Sequence, residues 1–161
     1  MKKLLFVVPV LMLFSITSCD SDKIFDEVEQ LAIDIELIDA FLAENNLVAE
    51  VDEDSGLRYI VHQEGAGANA DFGATVIVEY TGTLLDGTQF DASIAPDHFD
   101  LVIGRGDVIQ GWDIAIRKFN AGTRATLYIP SRLGYGNARQ GFLIPPNSVL
   151  IFDITVLDIR Q

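Results

Sequence analysis

The rhythm of apolar and polar positions divides the chain into three stretches. Behind Lys2 and Lys3, Leu4 to Phe14 is an apolar run, closed by Ser15-Ile16-Thr17-Ser18 and the single cysteine, Cys19. Such a run falls short of the roughly 20 residues that span a bilayer. The order basic, apolar, small is that of a secretory signal. From Lys23 to Asn46 the period is helical: Ile24, Val28, Leu31, Ile35, Ile38 and Leu42 recur at alternating steps of four and three. Phe25, Ala32, Leu37 and Phe41 widen the apolar surface, and Asn45-Asn46 supplies a stop. The spacing predicts a helix packed on its own domain. The alternative use of the stripe is a weak homodimer through residues 23–46, for which the helix is short.

After Gly56 the period becomes that of strands. Leu57–Gln63, Ala74–Leu84, Thr88–Ala92, Phe99–Ile103, Thr123–Ile129 and Ser148–Ile159 alternate, and Asp86-Gly87 marks a hairpin turn. One helical stretch interrupts them, Val108–Phe119, with Asp107 as its expected N-cap and Gly122 as its expected stop. Ser131–Asn147 reads as a long loop with Gly134, Gly136, Gly141, Pro145 and Pro146, and loops of that length in compact domains are commonly functional. The predicted class is α+β: a mostly antiparallel sheet with the helix on one face, preceded by an N-terminal helix. The expected organisation is a signal peptide over 1–18, an acidic linker and amphipathic helix over 19–56, and a globular domain over 57–161.

Composition narrows the function. The 161 residues are 49% hydrophobic, enough for a core, and carry a formal net charge of −13. Without Lys2 and Lys3 the 11 basic residues become 9 against 24 acidic ones, a balance of −15. A surface this acidic repels phosphate backbones, which argues against nucleic-acid binding. One cysteine excludes an internal disulfide framework and a cysteine-based zinc site. With only His62 and His98, histidine metal sites and a Ser-His-Asp triad have little to build on, and no Gly-x-Ser-x-Gly elbow is present. Gly65-Ala66-Gly67 follows a strand but precedes no helix, so it reads as a turn and not as a phosphate cradle. Asp52-Glu53-Asp54-Ser55-Gly56 faintly suggests a calcium loop, but Gln63 occupies the position that requires Glu, so a solvated linker is expected. No metal and no cofactor are expected.

What remains is aromatic. Tyr80, Phe90, Phe99, Trp112, Tyr135 and Phe152 come from separate elements, and on composition alone they are core. Their setting changes that reading. Val78-x-Tyr80-Thr81-Gly82-x-Leu84-x-Asp86-Gly87-x-x-Phe90-Asp91 closely resembles a signature of FKBP-type peptidyl-prolyl cis-trans isomerases. Gly104 with Val108-Ile109-x-Gly111-Trp112, then Leu127-Tyr128-Ile129-Pro130-Ser131-x-Leu133-x-Tyr135-Gly136, then Ile144-Pro145-Pro146-Asn147-Ser148-x-Leu150-Ile151-Phe152 follow in register. The resemblance covers Leu57 to Gln161, and its Tyr128-Ile129-Pro130-Ser131 wording is similar to the secreted bacterial branch. The N-terminal segment resembles a bacterial lipoprotein signal, in which Cys19 becomes the lipidated first residue; Ile16 stands where Leu is usual.

The resemblance implies a twisted sheet wrapped around one short helix, with a pocket between them that accelerates X-Pro rotation without a cofactor. It implies Trp112 as floor, Tyr80, Phe90, Phe99 and Phe152 as walls, and Val108 and Ile109 along one side. The Ile109 amide and the Tyr135 hydroxyl would bind substrate carbonyls, Asp91 would sit at the rim bonded to Tyr80, and Leu143 and Ile144 would overhang. Between Asp91 and Phe99 the chain lacks the Arg that often partners Asp91 in relatives, and Gly141-Phe142 alters the lip. The implied partners are proline-containing unfolded or exported polypeptides and a lipid membrane through Cys19, outside the cytoplasm. The alternative is a non-catalytic chaperone or peptide-binding module of the same fold.

Overall fold

The computed structural model describes residues 21–93 and 95–161, with side chains from residue 27 onward. The expected signal segment, Cys19 and the side chains of Ile24 and Phe25 lie outside the described residues.

Helix α1 runs Ser21–Glu44 and is followed by the strands β1 (Glu50–Val51), β2 (Arg58–Gln63), β3 (Ala66–Asn69), β4 (Thr75–Leu84), β5 (Gln89–Ser93) and β6 (Phe99–Val102). Then come α2 (Gln110–Ile116), β7 (Asn120–Ala121), β8 (Arg124–Ile129), a single 3₁₀ turn at Ser131–Leu133, and β9 (Leu150–Arg160). The main sheet has the order β1-β2-β8-β9-β4-β5, with β6 also paired to β4, and its pairings are antiparallel. Strands β3 and β7 form a small ribbon.

Alternation explains the layering, because successive side chains of a strand face opposite ways. Ala125, Leu127 and Ile129 of β8, with Leu150, Phe152, Ile154 and Val156 of β9, join Val76, Val78, Trp112, Ala115 and Ile116 in the principal core under α2. Tyr128 and Ile151 point the other way, where Ile38 and Leu42 of α1 and Val149 meet them. The sheet is thus covered on both faces, by α2 within the domain and by α1 from outside. The inner end of α1 buries Ile38 fully, while Val28 is 63% exposed, so the predicted stripe is used only over its second half. Among the described residues no helix is long and apolar enough to cross a membrane.

Several local expectations change. The predicted helix Val108–Phe119 is confined to Gln110–Ile116, because Ile109 keeps an extended backbone (φ −61°, ψ 148°). Asp107 therefore stands too early to cap it and lies 3.5 Å from Arg105 Nε instead. The helix does not reach Gly122: the Lys118 and Phe119 amides bond back to Ala115 and Ile116, a tightened last turn, and β7 intervenes. The acidic connector is no free linker. Glu50 and Val51 pair with Tyr59 and Arg58, and the Asp52 carboxylate takes Lys118 Nζ at 2.7 Å and the Ser55 hydroxyl at 2.6 Å. Lys118 first, then Ser55, hold the Asp52 carboxyl below its ordinary pKa. The segment expected as a turn at Gly65-Ala66-Gly67 opens strand β3.

Candidate functional site

Strand β4 changes partner on one edge, and that change builds the site. Its first half pairs with β6, Val78 opposite Phe99, and its second half with β5, Tyr80 opposite Ser93 and Gly82 opposite Asp91. On its other edge Gly82 faces Phe152 of β9. Rings from three strands are thereby drawn to one place. Gly82 makes the closeness feasible: a Cβ there would lie 2.6 Å from the Phe90 ring and 2.9 Å from the Phe152 ring. Gly111 does the same for α2, since a Cβ would meet Ile129 of β8 at 2.6 Å. The helix can then press the next residue, Trp112, into the sheet.

The indole is 3% exposed and is boxed by rings standing almost perpendicular to it. Tyr80 lies 5.0 Å away at 87°, Phe152 5.2 Å at 86°, and Phe99 6.0 Å at 86°. Such edge-to-face pairs are favourable beyond the area they bury. Above the indole is a cavity of about 520 Å³ lined by Tyr80, Asp91, Phe99, Asp107, Val108, Ile109, Gln110, Trp112, Gly134, Tyr135 and Phe152. Phe90 stands behind the wall, 5.5 Å from Phe152 and at 83° to it, and is not among the lining residues. Leu143 is 51% exposed, and Ile144, 6% exposed, is drawn into the principal core; neither lines the cavity. Asp107, Gln110 and Gly134 line it although the motifs gave them no role. Asp107 and Gln110 flank Val108-Ile109, so the extended turn before α2 was the signal that could have found them.

Polar groups are few and directed. The Tyr80 hydroxyl donates to Asp91 Oδ2 at 2.7 Å, and Asp91 Oδ1 accepts the Ala92 amide at 2.9 Å. Among the described residues no Lys or Arg forms an ion pair with Asp91. Burial, and then the bond to Asp91, push the Tyr80 phenol well above its ordinary pKa. Burial followed by the Asp91 charge raises Tyr135. Both phenols are therefore neutral donors at physiological pH. Tyr135 is set by the turn before it, where the Ser131 carbonyl accepts the Gly134 and Gly136 amides at 2.9 and 2.8 Å. Ser131 is anchored in turn by the fully buried Asp34 of α1, whose Oδ2 accepts its amide at 2.7 Å and its hydroxyl at 2.6 Å. The Ile109 amide has no acceptor among the described residues, as befits a group at the start of a helix. Trp112 Nε1 is the one buried side-chain nitrogen or oxygen among them without a partner.

The arrangement offers no nucleophile beside a base. It offers an aromatic floor and walls under a polar rim of Asp91, Asp107, Gln110 and the two phenols, suited to an apolar ring flanked by peptide groups. On the other face of the sheet a cavity of about 560 Å³ is lined by His62, Glu79, Arg124, Asp153 and Thr155 among others, without the box of rings.

Comparison with known proteins agrees. Residues 67–157 match the family described as FKBP-type peptidyl-prolyl cis-trans isomerase. The chain is 43% identical over 106 residues to FK506-binding protein 1B of Neurospora crassa, covering 62% of this chain and 94% of that protein. It is 40% identical over 100 residues to an FK506-binding protein of Neisseria meningitidis serogroup A, covering 62% and 92%. Among solved structures, FkpA from Escherichia coli superposes with a TM-score of 0.70 at 32% identity, over 88% of this chain and 64% of that one, so this chain spans less than two thirds of its length. The chain belongs to the FKBP-type peptidyl-prolyl cis-trans isomerases.

Proposed function

We propose that this isomerase works on exported polypeptides outside the cytoplasm, tethered by acylation of Cys19, and that it accelerates X-Pro rotation by removing water from the bond. The observation that carries the catalytic part is the open space of about 520 Å³ above a buried indole walled by perpendicular rings. The X-Pro bond turns slowly because the twist abolishes amide resonance, a barrier of roughly 18–20 kcal/mol. Water stabilises the polar planar amide more than the less polar twisted one. A dry aromatic slot withdraws that stabilisation and so favours the transition state over the ground state. In this reading the prolyl ring rests on Trp112 between Tyr80, Phe99 and Phe152, with Phe90 bracing Phe152 and Val108 along the side. The Ile109 amide and the Tyr135 hydroxyl hold the flanking carbonyls, and Asp91 fixes the Tyr80 ring. Leu143 is the part of the long loop free to touch the chain beyond, and no covalent intermediate forms.

The setting is supported by the basic, apolar and small-residue order of the first nineteen residues. Exported chains carry X-Pro bonds that isomerise over tens to hundreds of seconds unaided, which gives such an enzyme its substrate. The heptad spacing of α1 and the exposure of Val28 and Leu37 are what favour a weak homodimer, and a monomeric mass by light scattering would remove it.

Exchange spectroscopy on a proline peptide tests the site. Trp112→Ala and Tyr80→Ala are expected to abolish most of the catalysed exchange while the chain still unfolds cooperatively. Wild-type exchange in both would defeat the assignment. A holding module of the same fold would bind the peptide without accelerating it.

A further inference from the structure

A second cleft, of about 580 Å³, lies between α1 and the Ser131–Asn147 loop, and Gln110 lines both it and the prolyl pocket. We propose that this cleft continues the substrate path and receives a basic side chain of the polypeptide flanking the proline; the proposal rests on the isomerase reading of the pocket.

Gln110 is the first residue of α2, at the edge of the pocket where the Ile109 amide is free, so a chain held there can pass directly into the cleft. An extended chain advances about 3.3 Å per residue. A side chain a few positions from the proline therefore reaches the wall formed by α1. The helix that carries that wall is anchored further along its length. Buried Asp34 ties α1 to Ser131, and Asp39 forms a two-point pair with Arg58, Oδ1 to Nε at 3.0 Å and Oδ2 to Nη2 at 3.2 Å.

Charge supplies the preference. Glu27 and Glu29 line the cleft from α1, and Asp91 and Asp107 line the adjoining pocket. Of these four carboxylates, Asp107 already faces Arg105 Nε at 3.5 Å; against the other three stands Arg132, whose Nη2 is tied to the Ser55 carbonyl at 2.7 Å. Gln30 and Asn137 add neutral hydrogen-bonding groups. A lysine or arginine entering the cleft meets an excess of negative charge, and a glutamate meets repulsion. The wall belongs to α1, which lies ahead of the segment matched to the family at residues 67–157, so the preference would come from outside that segment.

The test is exchange spectroscopy with the full chain at low ionic strength. The peptides carry one proline and differ only in Lys, Ala or Glu, scanned from two to five residues on either side of it. At one or more positions the Lys peptide should exceed the Glu peptide roughly two- to fivefold in kcat/KM, the scale of an exposed charge pair. The advantage should shrink with added salt. In Glu27→Gln/Glu29→Gln the Lys-to-Glu ratio should fall toward one. In Glu64→Gln/Asp71→Asn, which removes as much charge from elsewhere, it should persist. A ratio of one at every position in the wild type overturns the proposal, as does a ratio that both double variants leave intact or lower equally. If no peptide is accelerated, the isomerase reading fails instead. Peptide dissociation constants then decide the cleft, and equal values for Lys and Glu would overturn it.

Discussion

Tyr80 meets three rings and one carboxylate. Its ring lies 5.0 Å from Trp112, 5.8 Å from Phe99 and 6.0 Å from Phe152, and its hydroxyl donates to Asp91 at 2.7 Å. The two roles separate by substitution. Tyr80→Phe keeps the wall and removes the bond, whose net worth is about 0.5–1.5 kcal/mol, so kcat/KM should fall by about two- to tenfold and not to background. Wild-type activity in that variant would show that Asp91 does not fix the ring. The aromatic members of the slot were named by the resemblance to the family's motifs; strand alternation by itself told only which side chains face inward, and on that ground they read as core. Phe90 and Ile144 were not readable to the same depth. A ring one row behind a wall and a loop side chain drawn into the core depend on how neighbouring elements stack, which local spacing does not encode.

Helix α1 is held by different means along its length. Ile38 is fully buried against the outer face of the sheet, and Asp34, also fully buried, takes both hydrogen bonds of Ser131 together with Gln30 Nε2 at 2.8 Å. Ile38→Ala should destabilise the chain by about 2–5 kcal/mol. Asp34→Ala, which strands two donors in a dry contact, should cost about 1–3 kcal/mol. Denaturant unfolding reads both as a lower midpoint, and unchanged midpoints would mean that α1 is not docked in solution. The heptad stripe announced the helix and its contact with the domain. It could not announce Asp34, since a carboxylate on such a helix reads as solvent-facing until its partners from a residue 97 positions away are known. The length of α2 was hidden for a related reason. Apolar periodicity continued through Phe119, but the main chain at Ile109 is extended and the last turn tightens after Ile116.

Across the whole molecule, all four tyrosines hold their protons beyond the ordinary pKa of 10.0. Burial is the first cause in each; Glu50 adds to Tyr59, which is raised to about 12, Asp91 to Tyr80 and Tyr135, and Asp153 to Tyr128. The folded chain therefore binds more protons than the unfolded one above pH 10. The stability linked to these groups is intact below pH 10 and is lost as pH rises, for Tyr59 between 10 and about 12. Phenolate absorbance should develop at higher pH in the native than in the denatured protein, and the unfolding midpoint should decline above pH 10. A native phenolate midpoint at or below 10 would contradict the burial described. The family match begins at residue 67, yet β2, at Arg58–Gln63, is an interior strand between β1 and β8, and Leu57 beside it is fully buried in the principal core. A shortened chain starting at the family boundary would strip the hydrogen-bonding flank of β8 bare and open a hole where Leu57 sat. Naked strand flanks recruit one another, so that shortened chain should sediment as large multimers or precipitate, whereas one starting at Ser21 should stay soluble and go no further than the weak dimer of α1.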